Sequence, residues 1–303
     1  MTGARLHLTV LLLLMGAGWG LTQPLTKITV TAGYQPLGLI FWQLLIGAVL
    51  LTALRWRQLR HLPIRPATLA IWLIIALIGT LIPNSASYRA AFQLPAGVMS
   101  IVIATVPMLA FPIALVLGND HFSARRLLGL LLGLAGVALI ALPEASLPER
   151  AMLAFVPLAL VAPLCYACEG NIVARFGTAG LEPVDVLLGA SVIGTLIALP
   201  LALVTGQFFV PQAPYQLADA TMILSSIIHV VVYTGYVWLI GRAGAVFAGQ
   251  VAYIVTGSGV LWAMLLLGES YSLWVWAAFG SMIAGIALVR PRLAEQSAIN
   301  ESV

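Results

Sequence analysis

The sequence predicts an all-α integral membrane protein with ten transmembrane helices, arranged as two five-helix inverted repeats, and with cytoplasmic N- and C-termini. Three observations lead to this prediction: the composition, the number of apolar segments of membrane length, and a near-constant offset that aligns the two halves. Of the 303 residues, 61% are hydrophobic and only 8% are charged, and the mean hydropathy is +1.06. Because soluble domains carry about 25% charged residues, this chain lacks the polar surface that a soluble fold requires.

Ten apolar segments have the length that crosses a bilayer, about 17–25 residues. In chain order they are 6–26, 36–54, 68–88, 96–117, 126–142, 152–174, 184–204, 217–240, 245–267 and 273–289. The connections are short and contain Pro, Gly, Asn and Asp, which punctuate helices. The first segment resembles a secretory signal, because Arg5 precedes an apolar run. Its helical pattern continues to Lys27, so we keep it as a membrane helix.

Positive residues are distributed unevenly over the two sides of this topology. With the N-terminus inside, eleven fall on the cytoplasmic side and three, Lys27, Arg89 and Arg150, fall outside. Short cytoplasmic loops of membrane proteins carry an excess of Lys and Arg, which predicts that both termini are cytoplasmic. The net charge of +4 therefore reflects topology, and no basic patch for nucleic acid is present.

The two halves of the chain align with each other at a nearly constant offset. An offset of 147 pairs Trp19 with Tyr166, and an offset of 149 pairs Asp120 with Glu269. Each half holds five predicted helices, an odd number, so the two halves must face opposite ways across the membrane. Inverted repeats of this kind build many secondary transporters, whose substrate site lies between the halves near the midplane.

Three stretches resemble the drug/metabolite transporter superfamily, EamA type: "GAGWGLTQPLTKITV" (16–30), "LGNDHFSARRLLGLLLGLAGVALIAL" (117–142) and "LGESYSLWVWAAFGSMIAGIALV" (267–289). The resemblance implies one EamA-type five-helix repeat at 6–142 and a second at 152–290. It also implies a secondary transporter of small metabolites, often an exporter. It does not identify the metabolite.

Glu169 is an acidic residue inside an apolar segment, in the cytoplasmic half of the sixth predicted helix. Such residues usually face a bundle interior or a watery cavity and mark ion or proton routes. One interpretation is a coupling carboxylate that takes up and releases a proton. The other is a structural carboxylate that reaches the interface or pairs with Arg175 or Arg242. Arg89 has two interpretations as well: neutralising an anionic substrate, or extending to the outer headgroups.

Polar and aromatic residues at midplane depth predict a solute cavity, since apolar helices need neither. The candidate substrate-binding residues are Trp19, Gln23, Gln43, Asn84, Tyr88, His229, Tyr233, Tyr253 and Thr256. The alternative is that Trp and Tyr form interfacial belts, which suits Trp19, His229 and Tyr253 poorly because they lie far from the helix ends. At position 43, where many members of the superfamily carry a positive residue, this chain has glutamine.

Other kinds of site find less support in the sequence. Cys165 and Cys168 form a C-x-x-C without a second pair, which favours close helix packing over metal or redox chemistry. Ser258 and His229 are the tempting pair for an intramembrane hydrolase, but nothing orients the histidine. No P-loop and no metal-ligand cluster is present, and no repeated charged constriction suggests a channel.

We therefore expect a secondary-active exporter of small metabolites such as amino acids in the inner (plasma) membrane, and no enzyme. The alternatives are an uptake carrier and multidrug efflux of other small solutes. The expected partners are a small-molecule substrate, the lipid bilayer and a proton as coupling ion. Neither a cofactor nor a metal is expected, and a monomer is compatible with the sequence.

Overall fold

A computed structural model describes residues 3–59, 62–119, 121–141, 147–243 and 251–288. Within these ranges the chain forms ten helical segments and no strand. They are α1 (Gly3–Thr31), α2 (Pro36–Arg55), α3 (Pro66–Gln93), α4 (Ala96–Val116), α5 (Ala124–Ala141), α6 (Arg150–Phe176), α7 (Pro183–Val204), α8 (Leu217–Ala243), α9 (Val251–Leu267) and α10 (Leu273–Leu288). Each predicted apolar segment overlaps one of these helices.

Many of the described helices have the length and hydropathy of membrane spans. Seven of them, α1 to α4 and α6 to α8, are long and apolar enough to cross a membrane. The apolar helices α9 and α10 are shorter, with 17 and 16 residues. A span needs about 20 apolar residues, so the chain is a multi-pass membrane protein.

Helix α3 is longer than predicted and irregular in its middle. The sequence predicted 68–88, whereas the helix runs through Pro66–Gln93 and contains a π-helical turn at Ile75–Leu81. The N–H of Ile82 donates to the carbonyl of Leu77, five residues back, which is the π-helical pattern. Pro83 explains the irregularity, because it has no N–H and its ring collides with the carbonyl four residues earlier in a regular α-helix.

Glycines end the fourth and ninth helices in the same way. Gly118 follows α4 with φ +69°, and Gly268 follows α9 with φ +65°. This left-handed conformation is common just after a helix, and glycine adopts it without a steric cost. In the alignment that pairs Asp120 with Glu269, the counterpart of Gly268 is Asn119, so the two glycines are shifted by one position. Asp120, the predicted counterpart of Glu269, lies outside the described residues, as do 244–250 at the predicted start of the ninth segment.

Helix contacts follow the same pattern in both halves. Helix α1 packs against α8 and α9, and α6 packs against the equivalent helices α3 and α4. Three further pairs join equivalent helices directly: α2 with α7, α4 with α9, and α5 with α10. These contacts are therefore unchanged when the two halves are exchanged, as expected for an internal two-fold repeat. We call the end of the bundle that carries the α1–α2 loop (residues 32–35) the distal end, and the opposite end the proximal end.

Candidate functional site

Four aromatic rings meet between α1 and α8, and we call them the aromatic cluster. Trp19 on α1 makes edge-on contacts with His229, Tyr233 and Tyr236 on α8, with ring centroids 6.1, 6.3 and 5.8 Å apart. His229 and Tyr233 lie one turn apart and stack at 6.3 Å. Sequence reasoning selected Trp19, His229 and Tyr233 for this site, and the structure brings these three together.

A second group, which we call the amide network, joins α2, α3 and α6. Gln43 Oε1 accepts hydrogen bonds from Asn84 Nδ2 at 3.0 Å and from the Tyr88 hydroxyl at 2.5 Å. The Tyr166 hydroxyl donates to Asn84 Oδ1 at 3.3 Å. Gln43, Asn84 and Tyr88 were all selected from the sequence. Tyr166 was not, although its alignment with Trp19 in the internal repeat would have pointed to it.

Glu169 lies between these two groups. It is three residues from Tyr166 on α6, and its carboxylate is within electrostatic range of both Tyr166 and Tyr233. It is half-buried, and among the described residues it forms no ion pair and no hydrogen bond. Arg175, one of the two arginines considered as its partner, is exposed and does not pair with it. The side chain of Arg242 lies outside the described part of the chain.

A small polar cavity adjoins the amide network on its distal side. Its volume of about 20 Å³ is enough for a water molecule. It is lined by Thr26, Thr29, Leu39, Gln43, Tyr88, Met222, Ser225 and Ser226. Hydroxyl groups from α1 and α8 thus face the amide network from the opposite halves of the chain.

Three of the sequence-selected residues are not part of either group. The Thr256 side chain is buried, and its hydroxyl donates to the carbonyl of Ala252 on its own helix at 2.9 Å. Tyr253 packs against the main hydrophobic core. Gln23 is half-buried one turn from Trp19 and makes no hydrogen bond with the described chain. Placement near midplane depth alone could not distinguish these positions from the clustered ones.

The other residues considered from the sequence lie outside the aromatic cluster and the amide network. Ser258 donates to the carbonyls of Ile254 at 2.6 Å and of Gly16 on α1 at 3.2 Å, while His229 packs against Trp19. A Cβ on Gly20 would come within 2.3 Å of Ser258 Oγ, so this part of α9 serves close contact with α1. Both cysteines are free thiols, and Arg89 is exposed. No group of three or more His, Cys, Asp or Glu side chains in the described residues could hold a metal ion.

The distal end is held together by contacts between the two halves and within each half. Glu269 Oε1 accepts the N–H of Ala96 at 2.7 Å, and its Oε2 accepts the N–H of Gly97 at 3.1 Å and the Tyr271 hydroxyl at 2.5 Å. Burial, together with the hydrogen bond to Glu269, raises the pKa of Tyr271 above its ordinary value. Lys27 Nζ donates to three carbonyls at the end of α3, those of Ala91, Phe92 and Leu94.

A further distal contact involves the α1–α2 loop. The Tyr34 hydroxyl donates to Asp219 Oδ1 on α8 at 2.5 Å, and the Tyr34 ring stacks on Phe209 at 4.3 Å. The hydrogen bond to Asp219, with smaller contributions from burial and the carboxylate charge, raises the pKa of Tyr34 to about 12. Phe209 also accepts a hydrogen bond from Trp42 Nε1 at 2.9 Å, so the segment after α7 lies along α2.

Comparisons with known proteins agree with this architecture. A crystal structure of a protein aligns with a TM-score of 0.54 and 17% sequence identity, covering 94% of this chain and 97% of the other. At this identity the likeness shows the fold alone. No curated protein sequence matches the chain. The model of the EamA-like transporter family matches residues 8–142 and 153–290, nearly the whole chain. The predicted resemblance is confirmed: the chain belongs to the EamA-like transporter family, within the drug/metabolite transporter superfamily.

Proposed function

We propose that this protein is a secondary-active exporter of small metabolites such as amino acids, which works by alternating access between its two repeats. The supporting observation is the position of Glu169 between the aromatic cluster and the amide network. These groups come from helices of both halves, so a solute bound among them touches both. Motion of one half against the other then moves the solute from one side of the membrane to the other.

The side chains suit an amphiphilic solute of amino-acid size. Glu169 matches an ammonium group, and the faces of Trp19 and Tyr233 match an apolar body. The Tyr166 hydroxyl and the Asn84 amide N–H groups offer donors for a carboxylate. In most small-molecule sites the wall is apolar and aromatic, and a small number of polar groups in it fix the orientation of the ligand. The cavity of about 20 Å³ is far smaller than such a solute, so loading requires this bundle to open.

Glu169 is the group that we assign to proton coupling. A carboxylate in a membrane interior is costly when charged and unpaired, and this one has no hydrogen-bond donor among the described residues. Taking up a proton removes the charge, whereas access to water on one side favours its release. A conformational cycle that alternates these surroundings couples proton movement to solute movement.

The membrane arrangement is part of the same proposal. We place ten spans in a bacterial-type inner membrane with both termini in the cytoplasm, because eleven of the fourteen positive residues then lie on the cytoplasmic side. The proximal end is the cytoplasmic end in this arrangement, and the distal end faces outwards.

Counterflow in proteoliposomes tests this function. Liposomes are preloaded with unlabelled amino acids, labelled amino acid is added outside, and accumulation is followed from pH 5 to pH 9. We expect native protein to show counterflow whose rate depends on pH. In Glu169→Gln, the ratio of the fastest to the slowest rate over this pH range should be smaller by at least about tenfold. Glu149→Gln, at an exposed position, is the matched control. Unchanged pH dependence in Glu169→Gln contradicts the coupling role, and no counterflow with any amino acid contradicts the substrate.

Organic monocations are the second candidate substrates, and one observation favours them. Neither the aromatic cluster nor the amide network contains a lysine or arginine, and Glu169 has no cationic partner among the described residues. Aromatic faces and one carboxylate are the usual surroundings of a bound quaternary ammonium. The counterflow panel therefore includes tetraphenylphosphonium, and counterflow with this cation but with no amino acid selects the second candidate.

A further inference from the structure

The carboxyl group of Glu169 lies against one particular backbone position of the other half. A Cβ atom built on Gly79 would be 2.9 Å from Glu169 Oε2, and 3.1 Å from both Oε1 and Cδ. Real Cβ atoms essentially never come within 3.0 Å of another atom and rarely within 3.4 Å, so a residue other than glycine would shift this carboxyl group by a few tenths of an ångström. Gly79 belongs to α3 and Glu169 to α6, so this contact joins the two repeats.

The backbone at Gly79 is irregular for a reason that the sequence contains. Pro83 follows Gly79 by four residues, so a regular α-helix would place the proline ring against the Gly79 carbonyl and would leave that carbonyl without a donor. The π-helical turn at Ile75–Leu81 accommodates this conflict.

Packing rather than hydrogen bonding fixes the position of the Glu169 carboxyl group. No donor in the described residues reaches it. The titratable groups near it are Cys165 and Tyr166 on its own helix and Tyr233 on α8. The π-helical turn that packs against it from α3 contributes none, since its sequence is IALIGTL. The space that a side chain at position 79 would fill is therefore the feature of α3 that determines where the Glu169 carboxyl group rests.

We propose that Gly79 is a positioning residue for proton coupling: its missing side chain, in the π-helical turn of α3, leaves the space in which the Glu169 carboxyl group rests. This inference rests on the proposed function of Glu169. Because the two residues belong to different repeats, alternating access changes their contact. The carboxyl group then rests on α3 in one conformation and leaves it in the other.

Carbodiimide labelling of Glu169 tests the proposal without requiring transport. Dicyclohexylcarbodiimide modifies protonated carboxyl groups, so the extent of modification at residue 169, measured by peptide mass spectrometry across pH, gives a protonation midpoint. The full-length protein in liposomes is compared with Gly79→Ala. The obstructing atoms are the end of a flexible side chain, and alanine is a better helix former than glycine, so this variant is expected to fold.

Two further variants make the result decisive. Gly170→Ala is the matched control, because Gly170 is the helical neighbour of Glu169 and a Cβ there meets nothing within 4 Å. Glu169→Asp shortens the side chain by one methylene and withdraws the carboxyl group from position 79. We expect Gly79→Ala to move the midpoint by about one pH unit when it is made in the native chain, and by less than about 0.3 unit when it is combined with Glu169→Asp.

Each outcome of this experiment has a definite meaning. Equal midpoints for Gly79→Ala, Gly170→Ala and native protein overturn the proposal, as does an equal shift with and without Glu169→Asp. A midpoint that moves as expected supports it even if no counterflow is measured, and absent counterflow then counts against the proposed function alone. Where counterflow is present, Gly79→Ala should change its pH profile and Gly170→Ala should not.

Discussion

Tyr34 holds the two halves of the chain together through one short hydrogen bond at the distal end. Its acceptor, Asp219, is only 3% exposed and has one other partner, the N–H of Gln216 at 2.8 Å. A hydrogen bond to a charged acceptor contributes about 1.5–3 kcal/mol. Residue spacing in the sequence could not reveal this pair, because the partners are 185 positions apart.

Replacing Tyr34 with phenylalanine should lower the free energy of unfolding by about 2 kcal/mol, because Asp219 loses its hydroxyl donor. The effect should depend on pH, since the folded-state pKa of Tyr34 is about 12 and that of an unfolded tyrosine is about 10. A raised pKa means that this stabilisation is complete below about pH 10 and is lost as the pH rises through about 12.

Thermal unfolding in detergent between pH 8 and pH 11 measures this difference. Tyr215→Phe is the matched control, because Tyr215 is 75% exposed in the segment before α8. A Tyr34→Phe midpoint equal to the native one at pH 8, or a gap that widens above pH 10, would contradict the prediction.

Individual residues in the candidate site were predictable where their chemistry is unusual for a membrane helix. Trp19, His229 and Glu169 stand out in apolar surroundings, so the sequence identifies them without knowledge of the fold. Gly79 does not stand out, since glycine is frequent in membrane helices. Its importance follows from a contact with Glu169 that lies 90 positions away.

The N-terminus of helix α4 is capped by Glu269, which lies in the connection between α9 and α10. Its own N-cap residue is Pro95, which provides no side-chain cap, and Glu269 accepts the first free N–H groups instead. A carboxylate at a helix N-terminus is favoured by these N–H groups and by the helix dipole. The preceding helix α3 is capped at its C-terminus by Lys27, so the short α3–α4 connection is held from both sides.

Replacing Glu269 with alanine should therefore lower the free energy of unfolding by about 1–2 kcal/mol, and loosen the distal end. Thermal unfolding measures the first effect, and thiol labelling of a cysteine introduced at exposed Phe92 measures the second. Glu149→Ala is the control, because Glu149 is exposed and forms no capping hydrogen bond. Equal stability and labelling rates in the two variants would show that Glu269 does not hold this connection.

The sequence predicts where the helices lie, but it predicts departures from regular α-helical geometry only in part. Each predicted apolar segment overlaps an observed helix because hydropathy is a local property of the chain. The sequence "IPNSAS" (82–87) indicates a disturbance in α3 through Pro83. The choice of a π-helical turn over a sharp kink depends on the neighbours α6 and α7, which pack against Ile75–Leu81, and no local pattern contains that information.

The bundle as a whole is joined at the proximal end by an ion pair between the halves. Arg55 on α2 pairs with Glu182 before α7, and its Nε lies 3.1 Å from Asp185 Oδ1. The Arg55 and Asp185 side chains are 17% and 13% exposed, so removing the arginine leaves a largely buried carboxylate without its partner.

Arg55→Met should accordingly cost about 3 kcal/mol of stability. Arg55→Met combined with Asp185→Asn should cost less than the sum of the two single variants by about 1–2 kcal/mol. A double-mutant cycle on thermal unfolding measures this coupling. Single-variant costs that simply add would mean that the pair contributes nothing to holding the halves together.

The sequence by itself determined the class of the protein: an apolar chain whose segments form membrane-length helices, whose halves repeat, and whose family is the EamA-like transporters. These properties depend on composition and on local or periodic patterns, which a single chain displays directly. Only the tertiary structure decided which polar residues meet. It brings Tyr166 to Asn84 and packs the Glu169 carboxyl group against Gly79, and it leaves Thr256 outside the site. The physical reason is that these helices are apolar on nearly all of their faces. The distribution of polar residues therefore does not indicate which face of a helix points into the bundle. Close packing between distant helices makes that choice.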